Sequence, residues 1–208
     1  MKPVGCVIMA SGLGQRFGGN KLLADFGGKP LVSRLLETVI DTPGLFPLTV
    51  TRYEEVAKLC REMGIAVLCH DLPYRNDTIR LGLQALLDRF SCREQQQAAP
   101  SAPYPRLCGC LFCPADQPLL RRDSLCALTE AFFRHSDKIC RLGYDGRAAS
   151  PVLFGHQFFP ELLTLPQGAG GSYLIKKYPA QVMLVPARDP YELYDVDTPE
   201  ELKFLSKL

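Results

Sequence analysis

The residues with the clearest chemical potential lie in a glycine-rich stretch, residues 11–21, that follows a short apolar segment. It contains four glycines: Gly12, Gly14, Gly18 and Gly19. Glycines leave backbone N–H groups open to close approach by a phosphate oxygen. Arg16 and Lys21 add a planar fork of donors and a mobile point charge, the two cations with which proteins hold phosphates. The stretch predicts a site for the phosphates of a nucleotide; a flexible surface loop is the alternative interpretation.

The spacing of these glycines does not fit the two common nucleotide-binding motifs. After Gly12 and Gly14, a dinucleotide fingerprint requires its third glycine one position before Gly18. A phosphate-binding loop of the type G-x-x-x-x-G-K-[ST] fails as well. The pair Gly28 and Lys29 is followed by proline and lacks the upstream glycine.

Candidate metal ligands lie in two later stretches of the chain. Asp116 follows an apolar segment, and Asp197 ends the run of Asp195, Val196 and Asp197. Mg²⁺ takes one or two carboxylates together with phosphate oxygens and waters, so these side chains suit a magnesium–nucleotide complex. Asp195 and Asp197 would share one face of an extended segment, which leaves open which of the two is the ligand. A turn aspartate at 116 and a helix-capping cluster at 195–201 are the structural alternatives.

Four stretches in the same order resemble a known family. Residues 7–21 resemble the signature L-A-[AG]-G-x-G-x-R-[MF]-G-x-x-K of nucleotidyltransferases that activate a phosphorylated acceptor with NTP. Three further segments agree with the family and extend the likeness over nearly the whole chain: residues 76–83, 114–120 and 194–202. The chain is most similar to the molybdenum cofactor cytidylyltransferase branch, the relatives of molybdenum cofactor guanylyltransferase.

This resemblance implies a fold, a reaction and a site. The fold is α/β, a three-layer Rossmann-like nucleotidyltransferase fold with a mostly parallel mixed sheet. In the reaction, an acceptor phosphate attacks the α-phosphorus of NTP and pyrophosphate leaves. The implied metal is Mg²⁺ on Asp116 and Asp197, and the catalytic cations are Arg16 and Lys21. The implied nucleotide-binding residues are Ala10, Ser11, Gly12, Gly14, Arg16, Lys21, Asn76, Asp77 and Thr78.

The resemblance favours CTP and a molybdopterin-type acceptor phosphate. Ser11 stands where guanylyltransferase relatives carry glycine and cytidylyltransferase relatives carry alanine, and its side chain leaves less room for a purine. A molybdoenzyme or its maturation factors are candidate protein partners. The alternatives are GTP with the same cofactor, a sugar or alcohol phosphate as acceptor, or a nucleotide-binding accessory protein without turnover. Asn76 and Asp77 also fit a helix N-cap.

The acceptor side departs from the family pattern. Residues 150–154 match a strand of the relatives and are expected to wall the acceptor pocket. Residues 167–172 lack the acidic residue that many relatives carry there, and their glycines also fit a simple turn. We therefore expect the acceptor side of the cleft to differ from that of the relatives.

Composition predicts one globular domain over residues 1–208, with 47% hydrophobic and 22% charged residues. A net charge of +2 gives no case for nucleic acid. No apolar segment approaches the roughly 20 residues that span a bilayer, so we expect a cytoplasmic protein without membrane contact. Its nine cysteines should stay reduced. We expect Cys108, Cys110 and Cys113 to be buried thiols, since a second ligand pair is missing, and the three histidines to be structural or surface residues.

Strand-length apolar runs alternate with helical patterns along the chain. The predicted strands are residues 4–9, 48–51, 65–69, 107–112, 152–154 and 181–185, and the predicted helices are residues 31–40, 53–63, 77–90, 124–133, 173–178 and 199–205. This rhythm predicts a mostly parallel sheet with helices on both faces. Ligands bind at the carboxyl ends of such strands, where the glycine stretch and Asp116 both fall. Residues 91–106, rich in Gln and Pro, predict an exposed, mobile insertion.

Overall fold

One mixed sheet organises the computed structural model, which describes residues 2–14, 16–96 and 107–208. Within these residues the strands are β1 (Val4–Ala10), β2 (Leu45–Thr51), β3 (Ala66–Cys69), β4 (Gly109–Pro114), β5 (Ile139–Tyr144), β6 (Arg147–Gly155) and β7 (Val182–Pro186). Their order across the sheet is β3-β2-β1-β4-β6-β5-β7. Only β6 runs antiparallel to its neighbours β4 and β5 among the described pairings. The predicted α/β fold with a mostly parallel mixed sheet is confirmed.

Helices cover both faces of the sheet and give the protein three layers. They are α1 (Leu31–Ile40), α2 (Glu54–Glu62), α3 (Arg75–Gln96), α4 (Arg122–Arg134), α5 (Phe159–Leu163), α6 (Ser172–Lys177) and α7 (Pro199–Leu205). Apolar side chains of α1, α2, α4 and α7 form one buried cluster, and those of α3, α5 and α6 form a second. Successive residues of β4 alternate between the two clusters, as the period of a strand requires.

The β5–β6 hairpin contains the one strand of the sheet that the sequence patterns missed. Arg141 and Gly143 interrupt the apolar run of β5, so the periodicity there is weak. Its turn carries a usable signal, because Asp145 and Gly146 have φ of 48° and 75° between the paired residues Tyr144 and Arg147. Asp-Gly in such a two-residue loop is typical of a tight β-hairpin.

Two other boundaries differ from the prediction. Helix α3 runs to Gln96, so the first part of the predicted insertion at 91–106 is helical, and residues 97–106 lie outside the described residues. Cys108 precedes β4 and packs with the first cluster, whereas Cys110 and Cys113 are buried on opposite faces of the strand.

None of the helices in the described part of the chain has the length and apolarity needed to cross a membrane.

Candidate active site at the carboxyl ends of the parallel strands

A cleft of about 600 Å³ opens where β1 and β4 end. It brings together most of the residues singled out from the sequence: Ser11, Gly12, Gly14, Arg16, Lys21, Thr78, Asp116, Asp195 and Asp197. Segments that are far apart in the chain therefore share one concave surface. This is the position at which open α/β sheets bind ligands.

Lys21 lies at the centre of an ion cluster in this cleft. Its Nζ donates to Oδ2 of Asp116 at 2.6 Å and to Oδ1 of Asp197 at 2.9 Å. Nη2 of Arg16 lies 2.7 Å from Oδ2 of Asp197. The Lys21 side chain is only 11% exposed, whereas that of Arg16 is 74% exposed. The cluster thus combines one sheltered cation, one exposed cation and two carboxylates that converge on Lys21.

The ion pairs of the cluster favour the charged forms of Lys21 and Asp197. Burial alone would lower the pKa of Lys21, but the carboxylates of Asp116 and Asp197 outweigh it, so the pKa is raised. The hydrogen bond from Lys21 lowers the pKa of Asp197, against a smaller opposing effect of burial, and Arg16 lowers it further. Lys21 and Asp197 are therefore both charged at neutral pH.

Asp195 also lines the cleft but has a different environment. Burial, followed by the charge of Asp116, raises the pKa of Asp195 to about 6. Its Oδ1 accepts a hydrogen bond from Nε2 of Gln117 at 2.9 Å. Asp197, by contrast, shares Lys21 with Asp116. The geometry favours Asp197 over Asp195 as the second member of a carboxylate pair with Asp116.

Two links position the acidic segment against the loop after β4. The N–H of Val196 donates to the carbonyl oxygen of Asp116 at 2.9 Å. The buried carboxylate of Glu192 accepts the N–H of Arg121 at 3.0 Å, just before α4 begins. No pattern in the sequence indicates a role for Glu192, because acidic residues are usually exposed.

The predicted cap of α7 holds Asp197 from the other side. Thr198 Oγ1 accepts the N–H of Glu201 at 3.2 Å, and the Glu201 carboxylate accepts the N–H groups of Asp197 and Thr198 at 2.7 and 2.9 Å. This is the capping box that Thr198 and the following acidic turn predict, with Pro199 at the first helical position. The cap fixes the backbone that carries the Asp197 carboxylate.

Gly14 and Gly18 of the glycine stretch have positive φ, a backbone conformation that favours glycine. Gly14 has φ of +59°, and a Cβ there would lie 2.5 Å from the carbonyl oxygen of Gly19. Residues after β2 anchor the same stretch, since Nε of Arg52 donates to the Ser11 carbonyl at 2.9 Å and the Tyr53 hydroxyl to the Gly12 carbonyl at 2.7 Å. These anchors hold the backbone in a preformed loop.

His70 orders the side chain of Ser11, a role that the sequence analysis missed. Nδ1 of His70 accepts the N–H of Leu72 at 3.1 Å, so the neutral ring carries its proton on Nε2. Nε2 lies 2.9 Å from Oγ of Ser11, which itself donates to the carbonyl oxygen of Val50 at 3.1 Å. Burial, followed by the charge of Arg52, lowers the pKa of His70 and keeps it neutral. The Ser11 hydroxyl is therefore held in one orientation at the cleft wall.

Three residues predicted to bind the nucleotide do not line the cleft. Ala10 is buried, and its carbonyl accepts the Thr51 hydroxyl at 3.0 Å. Oδ1 of Asn76 accepts the N–H of Gly168 at 2.8 Å. Because α3 begins at Arg75, Asp77 falls in its first turn, and its Oδ2 accepts the N–H of Tyr74 at 3.3 Å. The side chains of Asn76 and Asp77 thus secure the start of α3, the role at a helix N-terminus that their residue types also allow.

The cysteines form no metal centre in the described part of the chain. No group of three His, Cys, Asp or Glu side chains there is arranged to hold an ion by itself. Cys110 and Cys113 are buried, and burial raises the pKa of both thiols. The Sγ atoms of Cys6 and Cys113 lie 3.9 Å apart. Buried, protonated thiols of this kind act as small apolar residues of the core.

Fold and site together define an α/β protein that presents a glycine loop, two cations and paired carboxylates to one cleft. Residues 6–182 match the family described as the MobA-like NTP transferase domain, and the chain belongs to this family. The chain therefore carries a nucleotidyltransferase domain. Asp195 and Asp197 lie just beyond the matched residues.

One curated protein is similar in sequence to part of this chain. A probable molybdenum cofactor guanylyltransferase from Thermococcus sibiricus is 32% identical over 66 residues, which are 32% of this chain and 34% of the relative. The match thus spans about a third of the length of the relative.

Solved structures share the fold over nearly the full length. A nucleotidyl transferase from Methanothermobacter thermautotrophicus has a TM-score of 0.75 at 18% identity, over 99% of this chain and 96% of that one. A manganese complex of Rv0371C from Mycobacterium tuberculosis has a TM-score of 0.70 at 17% identity, over 100% and 99%. A 4-diphosphocytidyl-2C-methyl-D-erythritol synthase from Anaerococcus prevotii has a TM-score of 0.71 at 15% identity, over 99% and 95%.

Proposed function

We propose that this enzyme transfers CMP from CTP to the phosphate of a molybdopterin-type cofactor and releases pyrophosphate. The observation that carries the proposal is the sharing of Lys21 between Asp116 and Asp197 beside the glycine stretch. This arrangement provides cations for the phosphates and a carboxylate pair for a metal in one cleft. The acceptor rests on the family and on the partial likeness to a probable molybdenum cofactor guanylyltransferase.

Asp116 and Asp197 would hold Mg²⁺. Their carboxylates already converge on one cation, the Lys21 ammonium, and carboxylate oxygens are the ligands that Mg²⁺ prefers. Two carboxylates suffice where phosphate oxygens and waters complete the shell. When bound, the ion would neutralise charge on the phosphates. A manganese complex is known for one protein of the same fold, which supports a divalent ion here.

The residues of the chain act by alignment and charge. Backbone N–H groups of the glycine stretch would hold phosphate oxygens, and Lys21 and Arg16 would stabilise the negative charge that develops as pyrophosphate leaves. A phosphate monoester is already anionic near neutral pH, so the attacking oxygen needs no general base. Fixed groups that meet developing charge in a sheltered cleft account for most of such catalysis.

The base pocket lies beside Ser11 and Thr78. The ordered side chain of Ser11 occupies space that glycine would leave to a purine, which supports CTP. GTP is the second candidate, supported by the curated relative, a probable guanylyltransferase. A sugar or alcohol phosphate acceptor is the remaining alternative, since the Anaerococcus protein of the same fold is a diphosphocytidyl-methylerythritol synthase.

Location and protein partners follow from the same proposal. The eight cysteines that the structure describes are free thiols, which supports a reducing compartment such as the cytoplasm. A molybdoenzyme or its maturation factors would receive a cytidylated cofactor.

Pyrophosphate release with each of the four NTPs tests the function. With Mg²⁺ and molybdopterin, we expect release from CTP in preference to GTP, ATP and UTP, and none without the acceptor. Release from GTP alone would select the guanylyltransferase alternative. Tight NTP binding without release, with molybdopterin and with sugar and alcohol phosphates, would select a non-catalytic accessory role.

A further inference from the structure

The part of the cleft beyond β4 has its own cation. Arg141 of β5 lines the cleft together with Ser150, Val152 and Phe154 of β6. In the sheet, Phe112 pairs with Val152 and Val152 pairs with Arg141. Residues in one such row point to the same face, so Arg141 extends over the same face as the apolar floor formed by Phe112 and Val152.

Arg141 makes few polar contacts for a half-buried charged side chain. It is half-buried, and its Nε donates to the carbonyl oxygen of Ala149 at 3.1 Å. No carboxylate of the described residues forms an ion pair with it. Burial lowers its pKa, yet a guanidinium stays protonated in proteins. A partly desolvated cation without a counterion is costly, and an anion in the cleft would offset that cost.

The other cations of the cleft are in a different situation. Arg16 and Lys21 are neutralised by Asp116 and Asp197. Arg52 donates to the carbonyl oxygens of Ser11 and Leu72, and Arg75 is exposed to solvent. Arg141 is therefore the sheltered cation that remains available on the side away from the glycine stretch.

Arg141 lies on the side of the cleft away from the glycine stretch. Strand β5 lies two strand spacings, about 10 Å, from β4. The bond to Ala149 directs the guanidinium toward the start of β6, which lies beside the carboxyl end of β4 because these strands are antiparallel. Asp116 follows that end. An anion held by Arg141 would thus lie next to the carboxylate pair, opposite the glycine stretch.

We propose that Arg141 binds the phosphate of the acceptor, while the apolar floor of Phe112, Val152 and Phe154 contacts its carbon body. The acceptor class is a phosphate monoester on an apolar-faced ring. This inference rests on the proposed function, because it assigns the donor to the glycine stretch and the acceptor to the other half of the cleft. It makes Arg141 a determinant of acceptor affinity that leaves the nucleotide site unchanged.

Phenyl phosphate is a suitable probe, since it combines the monoester with an apolar ring. Its binding is measured by calorimetry on the full chain and on the variants Arg141→Gln, Arg141→Lys and Arg147→Gln. Arg147 is an exposed arginine at the start of β6 outside the cleft lining, which makes it the matched control. We expect Arg141→Gln to weaken binding by about tenfold or more, since bonds to charged groups are among the stronger ones. Arg141→Lys should recover part of the loss, and Arg147→Gln should match the wild type.

Two further measurements make the result decisive. CTP with Mg²⁺ should raise the melting temperature of every variant equally, which shows an intact nucleotide site. Methyl phosphate should bind more weakly than phenyl phosphate, and inorganic phosphate no more tightly than methyl phosphate. Binding of phenyl phosphate that is unaffected by Arg141→Gln, or absent from the wild type at millimolar concentration, would overturn the inference. Failure of the proposed function is separate, because it would appear as no pyrophosphate release while Arg141 still binds the probe.

Discussion

Lys21 and Asp116 lie 95 positions apart in the chain, yet Nζ of the lysine is 2.6 Å from Oδ2 of the aspartate. The contact joins the glycine stretch after β1 to the loop after β4, the neighbouring strand. Asp197, from a third segment, completes it at 2.9 Å. The site therefore exists only in the folded sheet, and Lys21, Asp116 and Asp197 each come from a different part of the sequence.

Replacing Lys21 should separate catalysis from folding. Lys21→Met keeps the apolar stem and removes the charge that, in the proposed mechanism, stabilises the departing pyrophosphate. We expect the rate of pyrophosphate release to fall roughly 10²–10³-fold, the usual effect of losing one such donor. The far-ultraviolet circular dichroism spectrum should stay unchanged.

Lys29→Met is the matched control, because Lys29 is exposed and pairs with Glu37 outside the cleft. It should retain wild-type turnover. If Lys21→Met lost helical content, and turnover fell only in proportion to the fraction of protein that remained folded, Lys21 would instead have a structural role.

Asparagine substitutions should distinguish the metal ligands. Asp116→Asn and Asp197→Asn each remove one charged ligand, so the Mg²⁺ concentration for half-maximal pyrophosphate release should rise and the maximal rate should fall. Asp195→Asn should leave the Mg²⁺ requirement near that of the wild type, because Asp195 is engaged by Gln117. Asp123→Asn, at an exposed position on α4, is the control. If the Mg²⁺ concentration for half-maximal release rose more in Asp195→Asn than in Asp197→Asn, Asp195 rather than Asp197 would be the second metal ligand.

His70 should make folding sensitive to acid. Burial, with the charge of Arg52, lowers its pKa in the folded protein below 6.5, the value expected of the unfolded chain. As the pH falls below 6.5, the unfolded state therefore binds more protons at His70 than the folded state does. The contribution of His70 to the free energy of unfolding is present above pH 6.5 and is lost as the pH falls through the pKa of the folded protein. Urea unfolding between pH 7.5 and 5 should show a steeper loss for the wild type than for His70→Asn. Parallel curves for the two proteins would exclude a depressed pKa.

Gly14→Ala should distort the glycine stretch. The residue would keep a φ of +59° and press its Cβ against the carbonyl of Gly19. We expect a backbone cost of roughly 1–2 kcal/mol and weaker binding of CTP with Mg²⁺. Gly19→Ala is the control, since a Cβ there meets nothing within 4 Å. Equal calorimetric affinities of the two variants would show that the loop conformation does not matter for binding.

Glu192→Ala should destabilise the fold. Glu192 is buried, and the change leaves the backbone N–H of Arg121 without the carboxylate that accepts its hydrogen bond. An unsatisfied group of this kind costs about 1–3 kcal/mol, so the urea midpoint should fall. Glu130→Ala, at an exposed position on α4, should change the midpoint little. Similar midpoints for the two variants would mean that Glu192 contributes nothing to anchoring the acidic segment.

Much of the fold and of the ion cluster could be predicted because the signals are local. The helical periodicity of α1 and α4, the glycines before Lys21 and the Thr198 cap each lie within a few residues of the chain. Asp116 and the glycine stretch follow neighbouring strands, so the rule for ligand sites in parallel sheets brings them together. Pairing of Asp116 with Asp197 required the family resemblance, since nothing local joins residues so far apart.

The remaining features depend on tertiary contacts that leave no local pattern. His70 follows β3 and orders Ser11, which follows β1, across the intervening strand β2, and Glu192 accepts the N–H of Arg121 from a distant turn. Oδ1 of Asn76 accepts the N–H of Gly168, a contact between distant loops that no sequence pattern indicates. Arg141 interrupts the apolar pattern of β5, and that irregularity concealed both the strand and the cation.

A crystal structure with a non-hydrolysable CTP analogue and Mg²⁺ tests the central claim most directly. We predict the triphosphate on the glycine stretch, an α-phosphate oxygen within hydrogen-bond distance of Lys21, and one Mg²⁺ ion bound by both Asp116 and Asp197. A triphosphate outside this cleft, or an ion that contacts neither carboxylate, would contradict the account.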